Sequence, residues 1–136
     1  MNLFLDYQKK IFKSLKVLEK DKKIKIPTNL KNINVDLPPK NQKADIACNA
    51  AMILAKSNNT SPSLLAEKIK NYLLLNYKEF SKIEIAGPGF LNISFNSLFW
   101  KMYLEKALKL KHKYGSYKSK KKKYNIEFVS ANPTGP

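Results

Sequence analysis

The sequence predicts an α+β domain, two layers in which helices pack on a small antiparallel sheet, followed by the first strand of another domain. Three observations predict it. Four stretches carry apolar residues every three to four positions. Two alternating runs meet at Ala86-Gly87-Pro88-Gly89. A polar, Lys-rich break at 113–123 then separates residues 1–112 from a last apolar run at 124–136.

Leu3, Tyr7, Ile11, Leu15 and Leu18 recur at helical spacing, so residues 2–19 form the first amphipathic helix. "INVDLPP" sets Ile33, Val35 and Leu37 against Asn34 and Asp36 before Pro38 and Pro39 break the run, which reads as a short strand and a turn. "ADIACNAAMILAKS" (44–57) is rich in helix formers and reads as a second helix, Asp45 near its start and Ile46, Ala50, Ile53 and Leu54 facing inward. Ser61 followed by Pro62 marks the start of a third helix, whose stripe is Leu65, Ile69, Tyr72 and Leu73. "SKIEIAGPGFLNISFN" (81–96) is a β-turn-β unit. Asn96 and Ser97 open a fourth helix lined by Phe99, Tyr103, Ala107 and Leu110, with Trp100 expected as a core anchor.

At 136 residues and 43% hydrophobic, the chain can bury a core of its own. The single cysteine, Cys48, excludes an internal disulfide and reads as a small buried side chain. With His112 the only histidine, a His-based metal site or a Ser–His–Asp triad does not fit within the chain, and no metal is expected. No apolar run is long enough to span a membrane, and the start has no signal-peptide pattern, so the expectation is a cytoplasmic monomer. All 26 basic residues are lysine and the net charge is +16. Residues 101–123 hold ten lysines against one glutamate, which favours a polyanion partner, with a solvated linker as the plainer reading.

Two stretches carry candidate chemistry. In "GPGFLNISF", alternation puts Leu91, Ile93 and Phe95 on one face and Phe90, Asn92 and Ser94 on the other. An aromatic beside an amide on a polar face suits stacking and hydrogen bonding of a splayed base. Gly87 and Gly89 would let a backbone approach. The plainer alternative packs Phe90 under a loop and leaves Asn92 as ordinary polarity. In "YNIEFVSANPTGP", Tyr124, Ile126, Phe128 and Val129 suit a strand of a parallel sheet. Ser130 and Asn132 would sit at its carboxyl end, where open α/β sheets bind ligands, and Glu127 needs a partner there.

"NIEFVSANPTGP" resembles the stretch that precedes the His-x-Gly-His signature of arginyl-tRNA synthetases, class I enzymes with a Rossmann catalytic domain. "ADIACNAAMILAK", "SPSLLAEKI", "IEIAGPGFLNISF", Phe99-Trp100 and Tyr114-Gly115 also occur in the order expected of the bacterial-type enzyme. The resemblance covers roughly residues 33–136. It implies that residues 1–112 are the family's N-terminal additional domain, which touches the tRNA corner. Phe90 and Asn92 match the positions that read a D-loop nucleotide, with Gly87 and Gly89 beside them. Glu127, Ser130 and Asn132 match positions in or beside the arginine pocket, and Lys120, Lys121, Lys122 and Lys123 become candidate phosphate contacts.

The implied partners are tRNA(Arg), arginine, and ATP with Mg2+, the last used by the full-length enzyme. The ATP signatures and catalytic residues would lie past Pro136, so this stretch alone is expected to activate no arginine and bind no ATP. One departure stands out: Ala44-Asp45-Ile46-Ala47-Cys48 occupies the place of the family's usual Gly-Asp-Phe-Ala-Thr. The alternatives are a stand-alone RNA-binding module without catalysis, or an interaction domain whose first helix docks on a partner or an anionic membrane.

Overall fold

The computed structural model describes residues 2–28 and 33–116. Four helices, α1 (Leu3–Lys20), α2 (Ala50–Ala55), α3 (Pro62–Asn76) and α4 (Ser97–Leu110), accompany four strands, β1 (Val35–Asp36), β2 (Ile46–Cys48), β3 (Phe80–Ala86) and β4 (Phe90–Phe95). The strands form one antiparallel sheet in the order β1-β2-β4-β3. The α+β reading therefore holds for the described residues.

The register sorts side chains into rows, because cross-strand partners share a face. Val35, Cys48, Leu91 and Ile85 form one row; Ile46, Ile93 and Ile83 form the next; Phe80 and Phe95 close the face. This face lies under α1, α2 and α3, where Ile11, Leu15, Leu54, Leu65, Ile69 and Leu73 are fully buried. A bulge between Phe80 and Lys82 adds one residue to β3, which keeps both Phe80 and Ile83 facing inward although they lie three positions apart.

Local chemistry sets the helix ends. Asn2, Ser61 and Asn96 each accept a hydrogen bond from a first-turn N–H, namely those of Leu5, Leu64 and Phe99. At the end of α1, Lys22 takes a left-handed φ of 57°, Lys22 N–H donates to Glu19 O, and Lys23 N–H donates to Leu18 O. That pair of bonds is a Schellman stop. Beyond it, the Asn58 side chain holds the returning chain through bonds with Lys25 N–H and Lys25 O.

Three expectations need correction. Residues 46–48 are a strand, and the helix begins only at Ala50. Of these three residues only Ala47 favours helix, and the segment is held between β1 and β4, with Ile46 and Cys48 fully buried. Asn49 sits at the switch and makes no side-chain cap; its Oδ1 accepts from Asn34 N–H at 2.8 Å instead, tying the β1–β2 pair. Asp45 likewise serves the sheet, accepting from Phe95 N–H at 2.7 Å. Leu37 is 73% exposed, because β1 ends at Asp36 and the chain turns outward before Pro38. Trp100 is 37% exposed, and α4 has no buried residue. Phe99 supplies the α4 anchor, stacked on Phe95 at 4.1 Å between ring centroids.

Candidate nucleic-acid interface

The sheet's other face carries no helix-facing stripe. Its central row, read across the strands, is Asp36, Ala47, Asn92 and Glu84. Phe90 pairs with Ala86 in the row beside it. A cleft of about 460 Å³ opens over these residues, its walls including Asp36, Leu37, Gln42, Ala47, Phe90 and Asn92.

Asn92 is only 4% exposed although it belongs to the outer face. Its Nδ2 donates to Gln42 Oε1 at 3.2 Å, from the loop between β1 and β2. Its Oδ1 has no hydrogen-bond partner among the described residues and still reaches the cleft. A largely buried amide with its Nδ2 tethered and its Oδ1 open can accept a hydrogen bond from a ligand that supplies a donor. Phe90, 38% exposed, gives a ring at the rim. Leu37 and Pro39 supply apolar surface from the turn that follows β1.

Of the four residues expected at this site, Phe90, Asn92 and Gly87 come together in the cleft. Gly87 has φ +52 and open space around it. Gly89 has a different task. It is buried with φ +141, and a Cβ there would fall 2.8 Å from Pro62 Cβ, so the close approach it permits is by the start of α3. Sequence reasoning missed Asp36, Ala47, Gln42 and Leu37. Asp36 was legible as the polar side of an alternating run; Ala47 was hidden by the helical reading of its segment.

Among the described residues, the cleft lining contains Asp36 and no lysine. Cys48 lies beneath, with its thiol pushed up to about 12 by burial, which the Ala50 N–H partly offsets and the Asp36 carboxylate reinforces. A second, larger groove of about 750 Å³ runs between α1 and α4. It holds a compact polar network in which Glu79 Oε1 accepts from Tyr7 Oη at 3.1 Å and Lys10 Nζ at 2.7 Å.

The described residues thus define a helix-backed sheet domain whose outer face carries an aromatic-rimmed, amide-floored cleft. In fold it is similar to a Thermus thermophilus arginyl-tRNA synthetase, with a TM-score of 0.56 and 21% identity over 79% of this chain and 16% of that one. The family model for the arginyl tRNA synthetase N terminal domain matches residues 5–95, and the chain belongs to that family. Among curated relatives, the arginine–tRNA ligase of Pelagibacter ubique is 44% identical over 142 aligned positions, and that of Bartonella tribocorum 42% over 137. Both alignments take in all of this chain, which spans about a quarter of the relatives' length, 24% and 23% respectively.

Glu127, Ser130, Asn132, Lys120, Lys121, Lys122 and Lys123 lie outside the described residues, as does the expected Rossmann strand at 124–136. Among the described residues, no helix is long and apolar enough to cross a membrane.

Proposed function

We propose that residues 1–112 bind the corner of tRNA(Arg) within an arginine–tRNA ligase, through the cleft on the outer face of the sheet. The observation that carries this reading is the pairing of Phe90 and Asn92. They stand two residues apart on one strand, the ring 38% exposed and the amide 4% exposed, and both line one cleft. A flipped-out base would stack on the ring and hydrogen-bond the amide, the arrangement by which proteins read unpaired nucleotides. Family membership supplies the RNA.

The whole enzyme would join arginine to ATP with release of pyrophosphate and pass arginine to the tRNA 3′ end. In that scheme Glu127, Ser130 and Asn132 would serve the arginine pocket, and Lys120 to Lys123 would meet tRNA phosphates across the 113–123 linker. ATP and its Mg2+ do not fit the cleft. Among the described residues it offers the Asp36 carboxylate and the Asn92 acceptor, with no lysine in its lining to meet a triphosphate.

Binding of tRNA(Arg) transcripts to the chain tests the proposal. Phe90→Ala and Asn92→Ala should each weaken binding about tenfold or more, in line with the loss of one stacked base. Binding should also fall steeply with added salt. Unchanged affinity in both variants, with thermal melts showing a folded domain, would remove the cleft from tRNA recognition.

A further inference from the structure

We propose that α4 is a two-sided element whose outer flank, Trp100, Leu104 and Leu108, docks on the part of the same ligase that lies beyond residue 136. The inference rests on the reading of this domain as part of an arginine–tRNA ligase and adds an intramolecular interface to it.

The composition of α4 sets the problem. Five of its 14 residues are polar, and four of them, Ser97, Lys101, Glu105 and Lys109, recur at every fourth position in one narrow stripe. The other positions are apolar or aromatic nearly all round, a pattern that belongs to a helix covered on more than one side. Yet no residue of α4 is buried. Phe99 anchors it to Phe95, and Leu98 and Met102 line the groove against α1. Trp100, Leu104 and Leu108 stand one turn apart on the other flank, with Leu104 and Leu108 59% and 65% exposed. Three large side chains in a row make a continuous apolar strip, unlike scattered surface residues.

The helix is nevertheless held firmly at its start. Asn96 N–H donates to Glu79 O at 2.9 Å, its Nδ2 donates to Lys78 O at 2.8 Å, and its Oδ1 accepts from Phe99 N–H at 2.8 Å. These bonds tie the beginning of α4 to the chain entering β3, so the flank is presented in a fixed direction. Such a flank is preorganised for a partner and gives up little freedom on docking.

What covers it follows from position and charge. The chain matches the family's N-terminal domain and spans 24% and 23% of two curated relatives, so most of such a ligase lies outside it. Of the long elements among the described residues α4 is the last, and so the nearest in sequence to that remainder. Being joined in one chain holds the remainder at an effective concentration on the order of millimolar, at which a short apolar strip suffices. A second copy fits poorly, because each chain carries a net charge of +16 and α4 itself adds three lysines against one glutamate.

The test joins residues 1–136 to the remaining length of the Pelagibacter ubique ligase, 44% identical across this chain, and compares that chimaera with the 136-residue chain. Charging of tRNA(Arg) by the chimaera certifies its fold. In both proteins Leu104→Asp and Leu108→Asp are combined. In the chain the pair faces water, so the thermal midpoint should stay within about 3 °C of its parent. In the chimaera the first thermal transition should fall by at least about 5 °C, because two carboxylates would enter an apolar interface. Leu104→Cys gives a second reading. Its alkylation should be at least about tenfold slower in the chimaera than in the chain, whereas Glu105→Cys, on the polar stripe, should react alike in both. Equal alkylation of Leu104→Cys in the two proteins, or an unshifted transition in the chimaera, overturns the inference. So does a loss of stability in the chain alone, which would place the cover within residues 1–136, and so does a dimer of the chain that the double variant dissociates. Phe90→Ala in the same chimaera keeps the two readings apart. Weakened tRNA(Arg) binding with an unprotected Leu104→Cys sinks the interface alone; unchanged binding with a protected site sinks the tRNA-corner reading alone.

Discussion

Gly89 and Pro62 meet so closely that no side chain fits between them. A Cβ on Gly89 would lie 2.8 Å from Pro62 Cβ and 2.9 Å from its carbonyl carbon. Pro62 is the first residue of α3, so the turn between β3 and β4 is pressed onto the helix start. The contact is with backbone, which cannot swing aside, and the φ of +141 already disfavours any L side chain. Gly89→Ala should therefore destabilise the domain by about 2–4 kcal/mol. Gly87→Ala, at φ +52 with nothing within 4 Å, should cost only about 1 kcal/mol. Urea unfolding of the two variants separates the cases. Equal losses would mean that conformation alone, and not the helix contact, sets the requirement at Gly89.

The Tyr7–Glu79–Lys10 network predicts a loss of stability at both extremes of pH. Burial opposes ionisation of Glu79, but the hydrogen bond and charge of Lys10, with the Tyr7 hydroxyl, outweigh it and hold the carboxyl below its usual range. A depressed carboxyl contributes stability that is fully present above its unfolded pKa, about 4.3, and is lost as pH falls through the lower folded value. Tyr7 is the opposite case. Burial first, then the Glu79 charge, push its hydroxyl well above the ordinary value. Its contribution is complete below about pH 10 and is lost as pH rises beyond that. Glu79→Gln should cost about 1 kcal/mol at neutral pH, since Lys10 is half exposed. The gap to wild type should hold above about pH 5 and close as the pH drops below about 4. A gap that stays constant over that range would show that Glu79 acts by packing and not by charge.

The helices α1 and α3 were legible because their stripes run for several turns, and Ser61 before Pro62 also marks the start of α3. The β3–β4 turn was legible from its glycines, and with it two of the site residues, Phe90 and Asn92. The rest of the cleft was not, for a specific reason. Residues 46–48 run straight into the Ala-rich helix at 50–55 and so read as its first turn, but they form a strand held by β1 and β4 on both sides. Until that strand is placed, nothing brings Asp36 near Asn92, or Ala47 between them. Leu37 and Trp100 are exposed for related reasons: a strand of two residues and a helix packed only along its first turns leave large apolar side chains outside the core.

Cys48 should be chemically silent in the folded protein. It is fully buried between Val35 and Leu91 in the inward row, and its thiol is raised to about 12, chiefly by burial. The thiolate is the reacting form, so at neutral pH almost none exists. Labelling with a maleimide or iodoacetamide should be at least a hundredfold slower than for free cysteine and should track global unfolding in urea. Cys48→Thr, the residue more usual for the family at this place, puts a hydroxyl into the same apolar row. It should cost about 1–2 kcal/mol unless the hydroxyl takes up a backbone carbonyl. Rapid labelling under native conditions would show that β2 opens locally, and with it the floor of the cleft.

Lys22 offers a change that should stabilise. It occupies the left-handed position just past α1, with φ 57°, where Lys22 N–H donates to Glu19 O and Lys23 N–H to Leu18 O. Those two bonds satisfy helix carbonyls that would otherwise be open, so the conformation is required and a β-carbon is a liability there. Lys22 is exposed, so its side chain gives up little packing when removed. Lys22→Gly loosens the unfolded chain, which works against stability, yet relieves the left-handed strain, and at helix stops of this kind the second effect is the larger. The expected gain is about 0.5–1 kcal/mol in urea unfolding. Lys22→Ala provides the control, since it removes the same charge and keeps the β-carbon. A gain that appears equally in Lys22→Ala would trace to charge repulsion among the neighbouring Lys20 and Lys23 and not to the backbone.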